Sequence, residues 1–238
     1  MRIQQLLKAL ALAICIGVLA YVAITMSEDR NPLNYQDHLE DTAFSVDGQA
    51  VTFQDLAFYI LFEERKVEEQ ARIYNPDYTK DYWNIHTNDT FIQLEAKDVV
   101  YGMAVHDELF YQLAVAEGMD TLSASEEEEL EFAKTDFWED LLDIQWEKLP
   151  CSQDKINDQI LKAAIAEKYG NYLASEYGPS QAAYKYDGYY YSQILEDHTV
   201  ETNKKLWDRF IMGDIALQHG KINYINGLTD ADKKAEEK

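Results

Sequence analysis

Residues 42–60 read TAFSVDGQAVTFQDLAFYI, and the reading of this stretch decides the fold. Thr42 to Val46 has the size and composition of a short strand, and Asp47-Gly48 is a tight-turn dipeptide that tolerates positive φ. Thr52 then caps a helix, with Asp55 three residues on completing a near capping box. Phe53, Leu56, Ala57, Ile60, Val67, Ala71 and Tyr74 follow at three- and four-residue steps and predict one buried face. Glu63, Glu64, Arg65, Lys66, Glu68 and Glu69 are expected to face mostly outward. The turn therefore reverses the chain and launches an amphipathic helix that needs partners.

The partners lie downstream. Thr90 is the expected cap of the longest helix, which stops at Gly118. Within it Ile92, Ala96, Val99, Met103, His106, Phe110 and Leu113 alternate four- and three-residue steps, a seam suited to packing on neighbouring helices. A histidine on such a seam is expected to be a satisfied core residue, with a functional role as the rival reading. Ser125 is the expected cap of the next helix. Glu126 to Glu129 lie in its first turn, where the helix dipole favours acids. Leu130, Ala133, Phe137, Leu141 and Ile144 supply its inner face, and Pro150 ends it.

A fourth helix is expected from about Gln153 to Glu176, with Ile156, Ile160, Ala163, Ala164 and Leu173 inward and Gly178-Pro179 as its stop. A last helix from Thr199 to about Met212 carries Leu206, Trp207, Phe210 and Ile211. It precedes a His219-Gly220 turn between two short strands. No repeat of solenoid period is present. The expectation is a mainly α fold, about five helices with a few short β-strands.

The chain has 238 residues, and its hydrophobic content of 47% is ample for a packed core. Against 21 Lys+Arg stand 44 Asp+Glu, a net charge of −23. Such a surface repels phosphates, so nucleic acid is not an expected partner. Residues 1–26 carry Arg2 and Lys8 and then run uncharged from Ala9 to Met26. That length spans the hydrocarbon core as a helix, and the leading basic residues predict an N-in, C-out signal-anchor. A cleaved signal after Ala20 is the rival; both export the rest of the chain. Residues 27–41 read as a linker, 42–228 as the exported helical domain and 229–238 as a solvated tail. Only Cys15 and Cys151 occur, so the exported part cannot form an internal disulfide, and Cys151 is expected to be inert.

Catalytic patterns are missing. His38, His86, His106, His198 and His219 are scattered, with no HExxH and no Cys/His cluster. No phosphate-cradling glycine cluster and no GxSxG occurs. No catalytic residue, cofactor or metal is therefore assigned. Aromatic residues offer the candidate contacts instead. Tyr78, Tyr82 and Trp83 lie in the Asn75–Asp89 loop; Tyr189, Tyr190 and Tyr191 lie in YKYDGYYYSQIL, read as a strand or hairpin. For both groups, packing on the core is the leading reading and peptide contact its rival.

AFSVDGQAVTFQDLAFYI, followed by VHDELFYQLAVAEGMDTLSASEEEELE, resembles the N-terminal chaperone domain of SurA-like and PrsA-like exported foldases. Val46, Asp47, Gly48, Val51 and Thr52 carry the strand–turn–helix part. Leu109, Leu113, Ala114, Glu117, Gly118, Met119, Ser123, Ser125 and Glu126 carry the second. The resemblance covers about residues 42–146 and implies a multi-helix module that shields unfolded or partly folded exported polypeptides. The parvulin isomerase domain of many members has no counterpart in the pattern after Trp146, so isomerase activity is not carried over. In that family the C-terminal segment often folds back on the N-terminal module, which implies that Ala43–Val46 pairs with Lys221–Tyr224. The resulting expectation is a membrane-anchored extracytoplasmic chaperone-like protein without catalysis. The alternative is an envelope scaffold that binds one dedicated folded partner.

Overall fold

The computed structural model describes residues 31–87 and 90–219. The chain is mainly helical. Strand β1 (Thr42–Val46) and strand β2 (Gln49–Thr52) form an antiparallel hairpin, with Val46 opposite Gln49. Its two-residue turn has φ of 50° at Asp47 and 82° at Gly48, both left-handed, as a hairpin turn that follows the strand twist requires. The sequence reading stopped the strand structure at the turn; β2 is a second strand between it and the helix.

Thr52 caps as expected. Its hydroxyl accepts the Asp55 N–H at 3.3 Å, and the Asp55 carboxylate accepts the Thr52 N–H at 2.9 Å. A 3-10 turn over Gln54–Leu56 leads into helix α1 (Ala57–Tyr74). After α1 come a short helix α2 (Lys80–Trp83) and a minimal two-stranded sheet of β3 (His86–Thr87) and β4 (Thr90–Phe91). Helix α3 (Ile92–Ala116) follows at once, with Phe91 at its N-cap position. Thr90 therefore belongs to a strand and is not the cap.

Helix α4 (Ala124–Glu139) starts two residues earlier than expected. Ser123, not Ser125, is the cap, because Glu126 reaches back to the Ser123 N–H at 2.7 Å and closes a capping box. The chain then breaks at Asp140, and a separate short helix α5 (Asp143–Glu147) precedes Pro150. Helix α6 (Gln153–Tyr177) ends in a left-handed Gly178, as expected.

The tyrosine-rich segment corrects the strand expectation. It forms a 3-10 turn over Gln181–Tyr184 and helix α7 (Tyr189–Leu195). The expected helix from Thr199 is corrected too: β5 (Val200–Thr202) and the single turn α8 (Lys204–Trp207) replace it. Strand β5 pairs antiparallel with β1, giving the sheet order β2-β1-β5. The C-terminal part does fold back on the first strand, but through Val200–Thr202. Lys221–Tyr224 lies outside the described residues, as do residues 1–26 and the 229–238 tail. Among the described residues no helix is long and apolar enough to cross a membrane.

The main core surrounds α3, which packs on α6, α1 and the sheet. Because neighbours lie on several sides, its buried set extends beyond the seam to Val100, Ala104, Val105 and Leu109. A second cluster joins Ala57 and Leu61 of α1 to Leu130 and Phe137 of α4, Leu141 beyond it, and Ile156 and Ile160 of α6. The 27–41 segment is no free linker over its described end. Tyr35 is buried and donates its hydroxyl hydrogen bond to the Phe53 carbonyl, and Leu33 N–H donates to Arg209 O at 2.8 Å.

The largest departure concerns α1. Glu63, Glu64 and Glu68 are buried, whereas Tyr74, assigned to the inner face, is exposed. Between α8 and residue 219 the chain has no regular structure, and its backbone donors need acceptors. Glu64 accepts the N–H groups of Gly213, Ile215 and Ala216. Glu68 accepts from Trp83 Nε1 at 3.1 Å and meets His219 Nε2 at 3.0 Å. From α3, Gln93 donates to the Met212 carbonyl and Lys97 to the Trp207 carbonyl. Four buried polar side chains thus fasten α8 and the C-terminal strap to the two central helices.

Candidate functional site

Between the two core clusters α1, α3, α4 and α6 leave an open cleft of about 480 Å³. Its walls are apolar: Phe58 and Phe62 of α1, Met103 of α3, Ala133 of α4, and Ile160, Ala163 and Ala164 of α6. Phe58 and Phe62 are four residues apart, so they share a helix face next to the main buried stripe. The Gln181–Tyr184 turn and Lys185 border the opening, with Glu167 and Asn171 beside them. An apolar hollow with a polar margin is the ordinary form of a site for apolar side chains or small molecules.

The cleft also reaches Tyr59, His106 and Asp107. Tyr59 donates to Asp107 Oδ2 at 3.0 Å, while Asp107 Oδ1 lies 2.7 Å from His106 Nδ1. His106 Nε2 lies 2.8 Å from the Tyr184 carbonyl. Burial first, and Asp107 second, push the Tyr59 phenol well above its ordinary range, so it stays neutral. Both ring nitrogens of His106 face acceptors belonging to the protein, and the ring packs against Phe110 and Tyr191. The network spends its hydrogen bonds internally and pins the 181–184 turn to α3. This is the satisfied core histidine that the seam position suggested.

The aromatic candidates divide. Trp83 is fully buried, and Tyr191 is buried against His106 and Phe110. Neither presents a face to a peptide, so for these two packing on the core holds and their listing as candidate contact residues is corrected. Tyr78, Tyr189 and Tyr190 are exposed, and Tyr82 is half-buried against Tyr74 at a ring distance of 5.6 Å. Tyr78 and Tyr82 sit beyond α1, remote in sequence from the tyrosines of α7. None of the six lines the apolar cleft. Phe58 and Phe62 were missed because the main stripe of α1 accounted for the helix without them; their four-residue spacing was the available signal.

Among the described residues no group of three or more His, Cys, Asp or Glu side chains is placed to hold a metal ion. No protein-family model matches the chain, and no curated protein or solved structure is significantly similar to it.

Proposed function

We propose that this chain is a non-catalytic, membrane-tethered chaperone-like module that holds extended or partly folded polypeptides outside the cytoplasm. The observation that supports this reading is the apolar cleft walled by Phe58, Phe62, Met103 and the alanines of α4 and α6. It offers exposed apolar surface to a side chain from another polypeptide while the acidic exterior keeps the carrier soluble. The uncharged run at Ala9–Met26 supplies the tether in this reading.

The test is aggregation of a reduced, unfolding client with the full-length chain at stoichiometric amounts. The expected result is suppression by the native chain and loss of it with Ala133→Phe, which fills the cleft from an exposed position on α4. No suppression by the native chain overturns the proposal. Recovery of one stoichiometric folded partner from membranes, with no unrelated clients, favours the envelope-scaffold alternative.

A further inference from the structure

A second concavity lies on the other side of the Gln181–Tyr184 turn. It measures about 420 Å³ and is shallow, between the C-terminal half of α6 and α7, with Leu113 of α3 at its floor. Tyrosines dominate it: Tyr169 and Tyr177 from α6, Tyr184 from the turn and Tyr190 from α7. Tyr177 is 69% exposed and Tyr190 41% exposed, so ring surface is open to an incoming group. Tyr184 and Tyr190 stack at 5.6 Å and 27°, which holds the Tyr190 ring in place from behind.

The electrostatics of this hollow are one-sided. Among the described residues its lining holds Asp197 and no lysine or arginine. His198, its one basic side chain, is engaged with Asp47 at 2.6 Å. Glu117 accepts the Tyr169 hydroxyl at 2.7 Å, and Glu176 lies close enough to act on Tyr172. Burial first, and then neighbouring acids and phenols, raise Tyr169, Tyr172 and Tyr184 above the ordinary phenol range. The ring faces of tyrosine carry negative quadrupole density, and carboxylates at the margin add to it. Around them the chain as a whole bears a charge of −23.

We propose that this tyrosine-walled hollow is a docking site for the cationic side chains of a lysine- or arginine-rich polypeptide segment. Ring faces, marginal carboxylates and a lining without lysine or arginine among the described residues suit an ammonium or guanidinium group better than an anionic one. Tyr189, 67% exposed and in edge contact with Tyr190, continues the aromatic surface past the hollow, as an extended segment requires. The site meets the apolar cleft at Tyr184 and shares no other lining residue with it, so it stands whatever that cleft holds.

The test uses the full-length chain and a fluorescent peptide of alternating lysine and glycine, with the glutamine-for-lysine peptide as control, at physiological ionic strength. Anisotropy should show at least about tenfold preference for the lysine peptide. Tyr177→Leu and Tyr190→Leu should each weaken it about two- to fivefold, the range of an exposed cation–π contact. Tyr190→Phe should bind as the native chain does, because the ring is retained. Both tyrosines are exposed, so these variants fold, and Asp197→Asn checks the carboxylate by a similar loss. The proposal is overturned if the lysine peptide does not bind. It is equally overturned if the leucine variants bind unchanged while glutamines at Glu126 to Glu129 abolish binding, since diffuse acidity then suffices. Aggregation suppression by the cleft is read separately, so either reading can fail alone.

Discussion

Glu64 lies directly beneath Gly213, accepting its N–H at 3.0 Å from the middle of helix α1. The same carboxylate takes Ile215 N–H at 3.4 Å and Ala216 N–H at 3.3 Å, so one side chain stands in for the regular structure that the strap lacks. Burial raises its carboxyl from 4.5 to about 8, opposed by these three donors and assisted by Asp214. The folded chain therefore keeps a proton that the unfolded chain has released. Stability is full below the ordinary carboxylate range and falls as pH rises towards 8; buried Glu63, also raised, acts in the same sense. The urea midpoint should drop between pH 5 and pH 8, and Glu64→Gln should remove most of that drop. A flat native profile would refute this.

Gly213 itself has φ of 75°, and a Cβ there would stand 2.8 Å from Cε3 of Trp83. Gly213→Ala should cost about 1–3 kcal/mol, combining left-handed strain with the displaced indole. Thermal melting measures the loss, and the Trp83 indole N–H resonance should shift as its bond to Glu68 is disturbed.

The two serines before α4 are separable by experiment. Ser123→Ala should lower stability by about 0.5–2 kcal/mol, because it removes the capping oxygen from the Glu126 N–H. Ser125→Ala should lie within about 0.5 kcal/mol of the native chain, as an exposed substitution inside the first turn. Equal effects in chemical denaturation would contradict the capping geometry.

Cys151 follows Pro150 and is half-buried. Burial raises its thiol from 9.0 to about 11, against the pull of Lys155 and with Asp55 adding to the rise. In a Cys15→Ser chain, alkylation at pH 7 should be slow, and its rate should climb with pH beyond 9, since the thiolate is the nucleophile. Rapid labelling at neutral pH would show that the thiol is not held this way.

How far the sequence led depends on which force shaped each element. The hairpin turn, the Thr52 cap, the long helices and the Gly178 stop follow from local chemistry, and each was legible. Glu63, Glu64 and Glu68 were not, because their charge reads as solvent-facing; Glu64 and Glu68 take donors from a strap some 150 residues away in sequence, and Glu63 pairs with Lys66. Tyr189 to Tyr191 have strand preference, yet tertiary packing of Tyr191 on His106 and Phe110 makes them a helix. The α4–α5 break at Asp140 carries no proline or glycine to announce it. The apolar cleft was invisible for a related reason: a gap between helices leaves no pattern on any one of them. The tyrosine hollow was half legible, with Tyr190 named and Tyr177 unnoticed at a helix end.

Placing β1 between β2 and β5 also fixes the order of events during synthesis. Asp47 at the hairpin turn accepts the Thr199 N–H, 152 positions further on, so the middle strand is made early and completed late. Until ribosomes deliver Val200–Thr202, one border of that strand has unanswered amide and carbonyl groups, open to pairing with the wrong chain. A nascent polypeptide of this kind is itself in need of protection until its last strand arrives.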